Sequence, residues 1–218
     1  MKTILCFGDS NTWGFIPESI TAPFPARHPH DVRWTGILAR ELGPNLRVIE
    51  EGQNGRTTVH DDPFAAARNG KLVLPAILES HKPLDLVVLM LGTNDLKNVF
   101  GVSPGEIAMG VKILAQMILG SDSGRHAKPP KLLILCPPAT GQQNHLPDLA
   151  AKLPNAFKNS RELPRHYEAL AAALGCAYLN TQTLVTAGSD GIHLDAAAHA
   201  VLGKAVATAV KSLLPPDA

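Results

Sequence analysis

Thr3-Ile4-Leu5-Cys6-Phe7-Gly8-Asp9-Ser10-Asn11 is the stretch whose reading decides the fold. Its first five residues are apolar, β-branched or aromatic, the pattern of a short buried strand. Gly8-Asp9-Ser10-Asn11 ends the run at once with a cluster of turn-formers. In an α/β protein, ligands and chemistry gather at the carboxyl ends of the strands. A serine at such an exit can hold its hydroxyl out on a tight turn, with backbone N–H groups aimed at the same space. An ordinary strand-to-loop exit looks the same, so the rest of the chain has to separate the two readings.

Working outward, four more segments read as strands: residues 46–50, which alternate, and the more apolar residues 84–91, 131–136 and 176–179. Between them lie helical patterns. One has Asp31 as N-cap and runs through Trp34, Ile37, Leu38 and Leu42 to Gly43-Pro44; another covers 72–81, with Pro75 near its first turn. Ser103-Pro104-Gly105-Glu106 combines a serine cap, a proline at the first helical position and an acid three residues after the cap, and so opens a helix to Leu119. Residues 161–174 form a further helix, and Asp195 caps a last one that runs to about Leu213, before Pro215-Pro216. Strand and helix alternate five times, which predicts an α/β fold: a five-stranded, doubly wound parallel sheet with helices on both faces. Residues 16–30 and 139–160 are rich in proline and turn-formers. They read as long irregular segments that shape the mouth of a site.

At 218 residues, with an aliphatic bias and few aromatics, the chain suits one domain, residues 1–218, with helices covering a parallel sheet. The net charge of +1 leaves no electrostatic footprint for nucleic acid or for an anionic membrane surface. No apolar run approaches the roughly 18 residues of a membrane span, and no signal peptide pattern opens the chain. Cys6, Cys136 and Cys176 are odd in number and far apart, and so read as reduced residues of a cytoplasmic protein. His28, His30 and His60 lie in irregular segments without metal-ligand spacing, so neither a metal nor another cofactor is expected. Arg56 reads as one partner of a structural ion pair.

Three strand exits carry glycine with polar residues: Gly8-Asp9-Ser10, Asn54-Gly55-Arg56 and Gly92-Thr93-Asn94-Asp95. A fourth such loop, Ser189-Asp190-Gly191-Ile192-His193, precedes the last helix. In a parallel sheet the exits share one rim, so these groups can converge. Together they supply the parts of acyl transfer. Ser10 serves as nucleophile, His193 as general base, and Asp190 as the acid that orients the imidazole. The Ser10 and Gly55 backbone N–H groups and the Asn94 amide are the candidate oxyanion donors. Asp190-x-x-His193 also suits a plain loop pair, and Asn94-Asp95 a helix cap; the ordered combination favours chemistry.

Those four blocks, in this order and spanning residues 7–193, resemble the SGNH hydrolases, the GDSL esterase/lipase superfamily. Within it, Ile4 through Gly14, Asp31-Val32-Arg33-Trp34-Thr35-Gly36, Val48-Ile49-Glu50-Glu51-Gly52 with Arg56-Thr57-Thr58, and Met90 through Asp95 are similar to the small bacterial arylesterase/acyltransferase branch. The resemblance implies a three-layer, flavodoxin-like fold and a cofactor-free serine esterase for short-chain acyl esters, able also to pass the acyl group to alcohols. It also implies a homo-oligomer whose neighbouring subunits narrow the mouth of the site. Asn11 departs from the usual first block, where leucine is common. It is grouped with Trp13 and Phe15 as a candidate substrate-binding residue; Trp13, Phe15 and Trp34 suit either an apolar wall or ordinary core packing.

A carbohydrate O-acetylesterase uses the same machinery and is the alternative. A nucleotide-binding module lacks its phosphate-loop glycines here, and a carbohydrate-binding module gives no reason for the Ser, Asn, Asp and His pattern.

Overall fold

The computed structural model describes residues 1–215, so Pro216 of the expected terminal proline pair lies outside the described residues. Five strands form one parallel sheet in the order β2-β1-β3-β4-β5. They are β1 (Lys2–Gly8), β2 (Leu46–Gly52), β3 (Leu86–Met90), β4 (Lys131–Cys136) and β5 (Ala177–Asn180). The helices are α1 (Ser10–Trp13), α2 (Trp34–Leu42), α3 (Gly70–His81), α4 (Pro104–Leu119), α5 (Pro147–Lys152), α6 (Ala156–Ser160), α7 (Leu163–Leu174) and α8 (Ala196–Leu213).

Strand residues alternate between two cores, as a side-chain period of two requires. Leu5, Phe7, Val87, Leu89, Leu132 and Ile134 pack under α3, α4 and α7. Ile4, Cys6, Leu86, Val88, Met90, Leu133 and Leu135 pack under α2 and α8, against Trp34, Leu38, Leu202 and Val206. Both faces of β1, β3 and β4 are therefore dry, which is why these strands read as unbroken apolar runs. Each fully buried Leu, Ile or Phe among them contributes about 1.5–3 kcal/mol of transfer free energy.

The winding reverses between β1 and β3, the switch point where a doubly wound sheet opens a crevice at its carboxyl edge. Ser10 leaves β1 on one side of that point and Asn94 leaves β3 on the other.

Several local expectations differ from the structure. α2 begins at Trp34 after Arg33, without a side-chain cap, and Asp31 lies upstream and exposed. Arg33 instead turns its guanidinium onto the Glu50 carboxylate of β2, at 3.0 and 2.7 Å, and so ties the helix start to the sheet. α3 begins two residues earlier than the apolar pattern indicates, because the Asn69 side chain accepts from the Lys71 N–H and caps it. Pro75 thus lies inside α3, where its missing N–H leaves the Lys71 carbonyl without its helical donor. The Ser103/Glu106 capping box of α4 and the Asp195 cap of α8 form as expected.

Gly8 and Gly52 face each other in the β1–β2 register, and α1 crosses directly over them. A Cβ on Gly52 would lie 2.2 Å from the Trp13 nitrogen and 2.6 Å from the Thr12 carbonyl carbon. Backbone cannot yield as a flexible side chain can. Gly52→Ala is therefore expected to destabilise the fold by about 1–3 kcal/mol or more, read as a lowered urea unfolding midpoint. An unchanged midpoint would show that α1 does not depend on this crossing.

Candidate active site

Four segments deliver the polar groups of the site. α1 begins at Ser10 immediately after β1, its N-cap being Asp9, whose Oδ1 accepts from the Asn11 N–H at 2.9 Å. Ser10 thereby stands at the sheet rim, almost buried. The loop before α8 carries His193, whose Nε2 lies 2.9 Å from Ser10 Oγ. Its Nδ1 lies 2.5 Å from Asp190 Oδ2. The other Asp190 oxygen accepts from the Ile192 and His193 backbone N–H groups, at 2.8 Å each. One carboxylate thus fixes both the turn and the ring it carries. The Phe15 ring stacks on the imidazole, with centroids 4.1 Å apart and planes at 20°.

Burial by itself would raise the Asp190 carboxyl. The hydrogen bond and charge of His193, with the two backbone donors, outweigh that and hold it below the ordinary carboxylate value. Asp190 is then an acceptor for the Nδ1 proton, which leaves Nε2 free to take the serine proton.

Ser10, Gly55 and Asn94 line one cavity of about 570 Å³ together with His193. Gly55 has φ +78°, a left-handed conformation that glycine adopts without strain. Among the described residues no protein acceptor takes its N–H or that of Ser10. Asn94 donates one amide hydrogen to the Arg56 carbonyl at 3.1 Å, which leaves the other for the cavity. Three donors therefore stand in the lining of the cavity that holds the serine hydroxyl, the groups needed to stabilise an oxyanion there.

The expected ion pair of Arg56 is not formed among the described residues. Its guanidinium holds the Gly8 carbonyl at 2.9 Å and the Glu51 carbonyl, and lies 4.2 Å over the Phe7 ring. It joins the β1 and β2 exits where a carboxylate partner was anticipated. Asp95, fully buried, accepts from the Thr58 N–H and hydroxyl and pairs with His60 Nδ1 at 2.9 Å. It locks the Gly55 loop to the β3 exit. The Asp95 bond holds the half-buried His60 above the ordinary histidine value, against the opposing effect of burial.

Of the candidate substrate-binding residues, Phe15 lines the cavity, while Asn11 and Trp13 do not. Asn11 is buried, and its amide bonds to the Ile192 carbonyl and the Leu194 N–H. Trp13 lies beside Phe15, with Arg27 over its ring at 5.1 Å, and Trp34 is wholly in the core. The larger apolar walls are Ile20, Phe64, Val99, Leu149, Leu153 and Ile192, with Asn54, Asn98, Lys152 and an Asp62–Lys97 ion pair of 2.8 Å among them. Ile20 and Leu149 come from the two segments expected at the mouth. The i, i+4 spacing of Leu149 and Leu153 was a local sign of an apolar face; Lys97 carried none. Among the described residues no group of three His, Cys, Asp or Glu side chains could hold a metal ion, and no helix is long and apolar enough to cross a membrane.

Residues 6–201 match the model of the GDSL-like lipase/acylhydrolase family. The aryl esterase of M. smegmatis is 42% identical, with 98% of this chain and 100% of that chain covered and a TM-score of 0.93. Its inhibitor-bound form, with the same identity and coverage, superposes with a TM-score of 0.94. A carbohydrate acetylesterase from Sinorhizobium meliloti is 38% identical, with 98% and 100% covered and a TM-score of 0.92. Among curated proteins none matches.

Asp9 generates a test of the electrostatics beneath the serine. Burial, only partly offset by the Asn11 N–H, His193 and Arg56, raises its carboxyl to about 6, and its Oδ2 has no hydrogen-bond partner. A raised acid binds its proton more tightly in the folded state, so its contribution favours folding at low pH and is lost as pH rises through about 6. Asp9→Asn keeps the Oδ1 acceptor without the charge. Relative to the native chain, the variant is expected to gain up to about 3 kcal/mol of unfolding free energy between pH 4 and pH 8. Urea titrations across that range check it, and a pH-independent difference would refute it.

Proposed function

The chain belongs to the GDSL-like lipase/acylhydrolase family, and within it we propose a serine esterase that hydrolyses short-chain, arylesterase-type acyl esters through an acyl-enzyme. The observation that carries this reading is His193 held between two partners, Ser10 Oγ at 2.9 Å and Asp190 Oδ2 at 2.5 Å.

Ser10 Oγ attacks the ester carbonyl carbon while His193 Nε2 takes the hydroxyl proton. The carbonyl π electrons move onto oxygen, where the Ser10 and Gly55 N–H groups and the Asn94 amide stabilise the charge. As the intermediate collapses, the C–O bond to the alcohol breaks and His193 returns the proton to the departing oxygen. Water then attacks the acyl-serine with His193 again as base, and the acid leaves as Ser10 recovers its proton. An alcohol in place of that water gives acyl transfer. No step requires a cofactor.

The cavity is far larger than an acetyl group and has mostly apolar walls, which suits an aryl or other bulky apolar alcohol portion. A carbohydrate O-acetylesterase is the second reading, favoured by the 38% identity to the S. meliloti carbohydrate acetylesterase. We also read the protein as cytoplasmic, because all three cysteines are free, and as a homo-oligomer. Phe24 and Phe64, exposed on segments beside the mouth, are suited to contact a second copy; a monomeric mass by light scattering would remove that part of the reading.

Ser10→Ala is expected to abolish hydrolysis of p-nitrophenyl acetate and labelling by a serine-reactive phosphonate. Asp190→Asn should lower kcat by roughly 10³–10⁴-fold, through the wrong imidazole tautomer. Stoichiometric labelling of another residue would overturn the assignment. Rates on phenyl acetate against acetylated xylo-oligosaccharides separate the two substrate readings.

A further inference from the structure

The backbone groups on either side of His193 are held by a set of hydrogen bonds within and beyond its loop. The N–H groups of Ile192 and His193 go to the Asp190 carboxylate, and that of Gly191 goes to the Gly188 carbonyl at 3.0 Å. The His193 carbonyl accepts from the Gly188 N–H at 2.6 Å. The Gly191 carbonyl accepts from the Gly141 N–H at 2.8 Å and from the Gln143 amide at 3.1 Å. Two further groups, the Ile192 carbonyl and the Leu194 N–H, flank His193 on either side. Asn11 satisfies both. Its Nδ2 donates to the Ile192 carbonyl at 3.3 Å, and its Oδ1 accepts from the Leu194 N–H at 2.9 Å.

Asn11 is the residue after Ser10, and only 1% of its surface is exposed. Its own N–H is held by Asp9. A single amide therefore spans the two segments whose side chains meet at the Ser10–His193 hydrogen bond. These segments lie 183 residues apart in sequence and approach the rim from different elements. Nothing in the covalent chain near Ser10 fixes its distance to the imidazole. Asp190 orients the ring from within its own loop, and Phe15 covers one ring face. The Asn11 amide bonds the loop as a body to the residue beside the serine.

We propose that Asn11 is a positioning residue for His193, setting the Ser10–imidazole geometry, and that it does not select substrate. This deepens the proposed function and rests on its assignment of Ser10 and His193. A leucine at position 11 has similar volume but neither hydrogen-bonding group. It would leave the Ile192 carbonyl and the Leu194 N–H buried and unpaired, and the loop would move to find other partners.

The test compares Asn11→Leu, Asn11→Ser and the native protein on p-nitrophenyl acetate and on a bulkier aryl ester. In Asn11→Leu, kcat is expected to fall by about 10- to 100-fold on both esters with KM unchanged, the cost of a misplacement near 1 Å. The acid limb of the pH profile should move with it, because the imidazole environment changes. Asn11→Ser, which keeps a shorter donor and acceptor, should lie between the two. A changed KM that differs between the esters, with kcat intact, would overturn the proposal in favour of substrate selection. A loss of kcat matched by loss of folded protein, with the acid limb unmoved, would overturn it in favour of a purely structural role.

If Asn11→Leu does not fold, the downfield proton NMR signal of the His193 Nδ1–H in Asn11→Ser decides. A shifted or broadened signal supports the proposal, and an unaltered one refutes it. Phosphonate labelling of Ser10 in the native chain tests the underlying assignment separately, so the two failures are distinguishable.

Discussion

The crossing of α1 over the paired ends of β1 and β2 is the constraint on which the rest of the site depends. A helix that starts one residue after a strand has to fold back across its neighbour, and here the neighbour's last residue is Gly52, opposite Gly8. A Cβ at Gly8 would meet the Thr12 hydroxyl at 2.1 Å and the Met90 carbonyl at 2.9 Å. Both glycines are absences of side chain at the place where three backbones converge. Without that closeness Ser10 would be carried away from the rim, and the donors from the β2 and β3 exits would face empty space. Arg56 reinforces the same junction by donating to the carbonyls of Gly8 and Glu51, the first of which also accepts from the Gln53 N–H at 3.2 Å.

Three buried aspartates share a second task. Asp9 holds the Asn11 N–H of α1, Asp95 holds the Thr58 N–H of the loop after β2, and Asp190 holds two N–H groups of the loop before α8. Each fixes a segment that delivers one group to the cavity, and each does so through backbone, so the contact constrains the path of the chain and not only a rotamer. Charged acceptors make stronger hydrogen bonds than neutral ones, which suits loops that lack a ladder of their own. The three differ in how their charge is compensated. Asp190 has the imidazole and Asp95 has His60 and the Thr58 hydroxyl. Asp9 has one backbone donor and an oxygen without a partner, and burial raises its carboxyl to about 6.

The sheet was legible in the sequence because a strand buried on both faces has no polar alternation to hide it: residues 86–91 and 132–136 are continuous apolar runs. The exits were legible because turn chemistry is local. What stayed hidden was set by partners distant in sequence. Arg56 next to Gly55 suggests a carboxylate partner, yet the carbonyls it takes become available only once β1 and β2 are paired. Asp31 has the composition of a helix cap, but Arg33 is drawn to Glu50, seventeen residues on, and the helix starts where that bond places it. Asn69 was a cap that the apolar period alone could not reveal, since the period begins only after the cap and Gly70.

Asn11 is the sharpest case of the same limit. Adjacent to Ser10, it invites a reading in terms of substrate, because a residue beside a nucleophile is near the reacting atoms in sequence. In space its side chain turns the other way. α1 is a single turn, so successive side chains point about 100° apart around its axis, and a serine facing the cavity sends the next residue toward the protein. There it meets the two backbone groups around His193 that no strand or helix satisfies. A buried polar side chain has to find partners or destabilise the fold, and here the partners available are those of the loop that carries the imidazole. The same geometry that turns Ser10 toward the cavity therefore buries its neighbour against the loop of His193, and the Asn11 amide joins the first block of the sequence to the last one beside the Ser10–His193 bond.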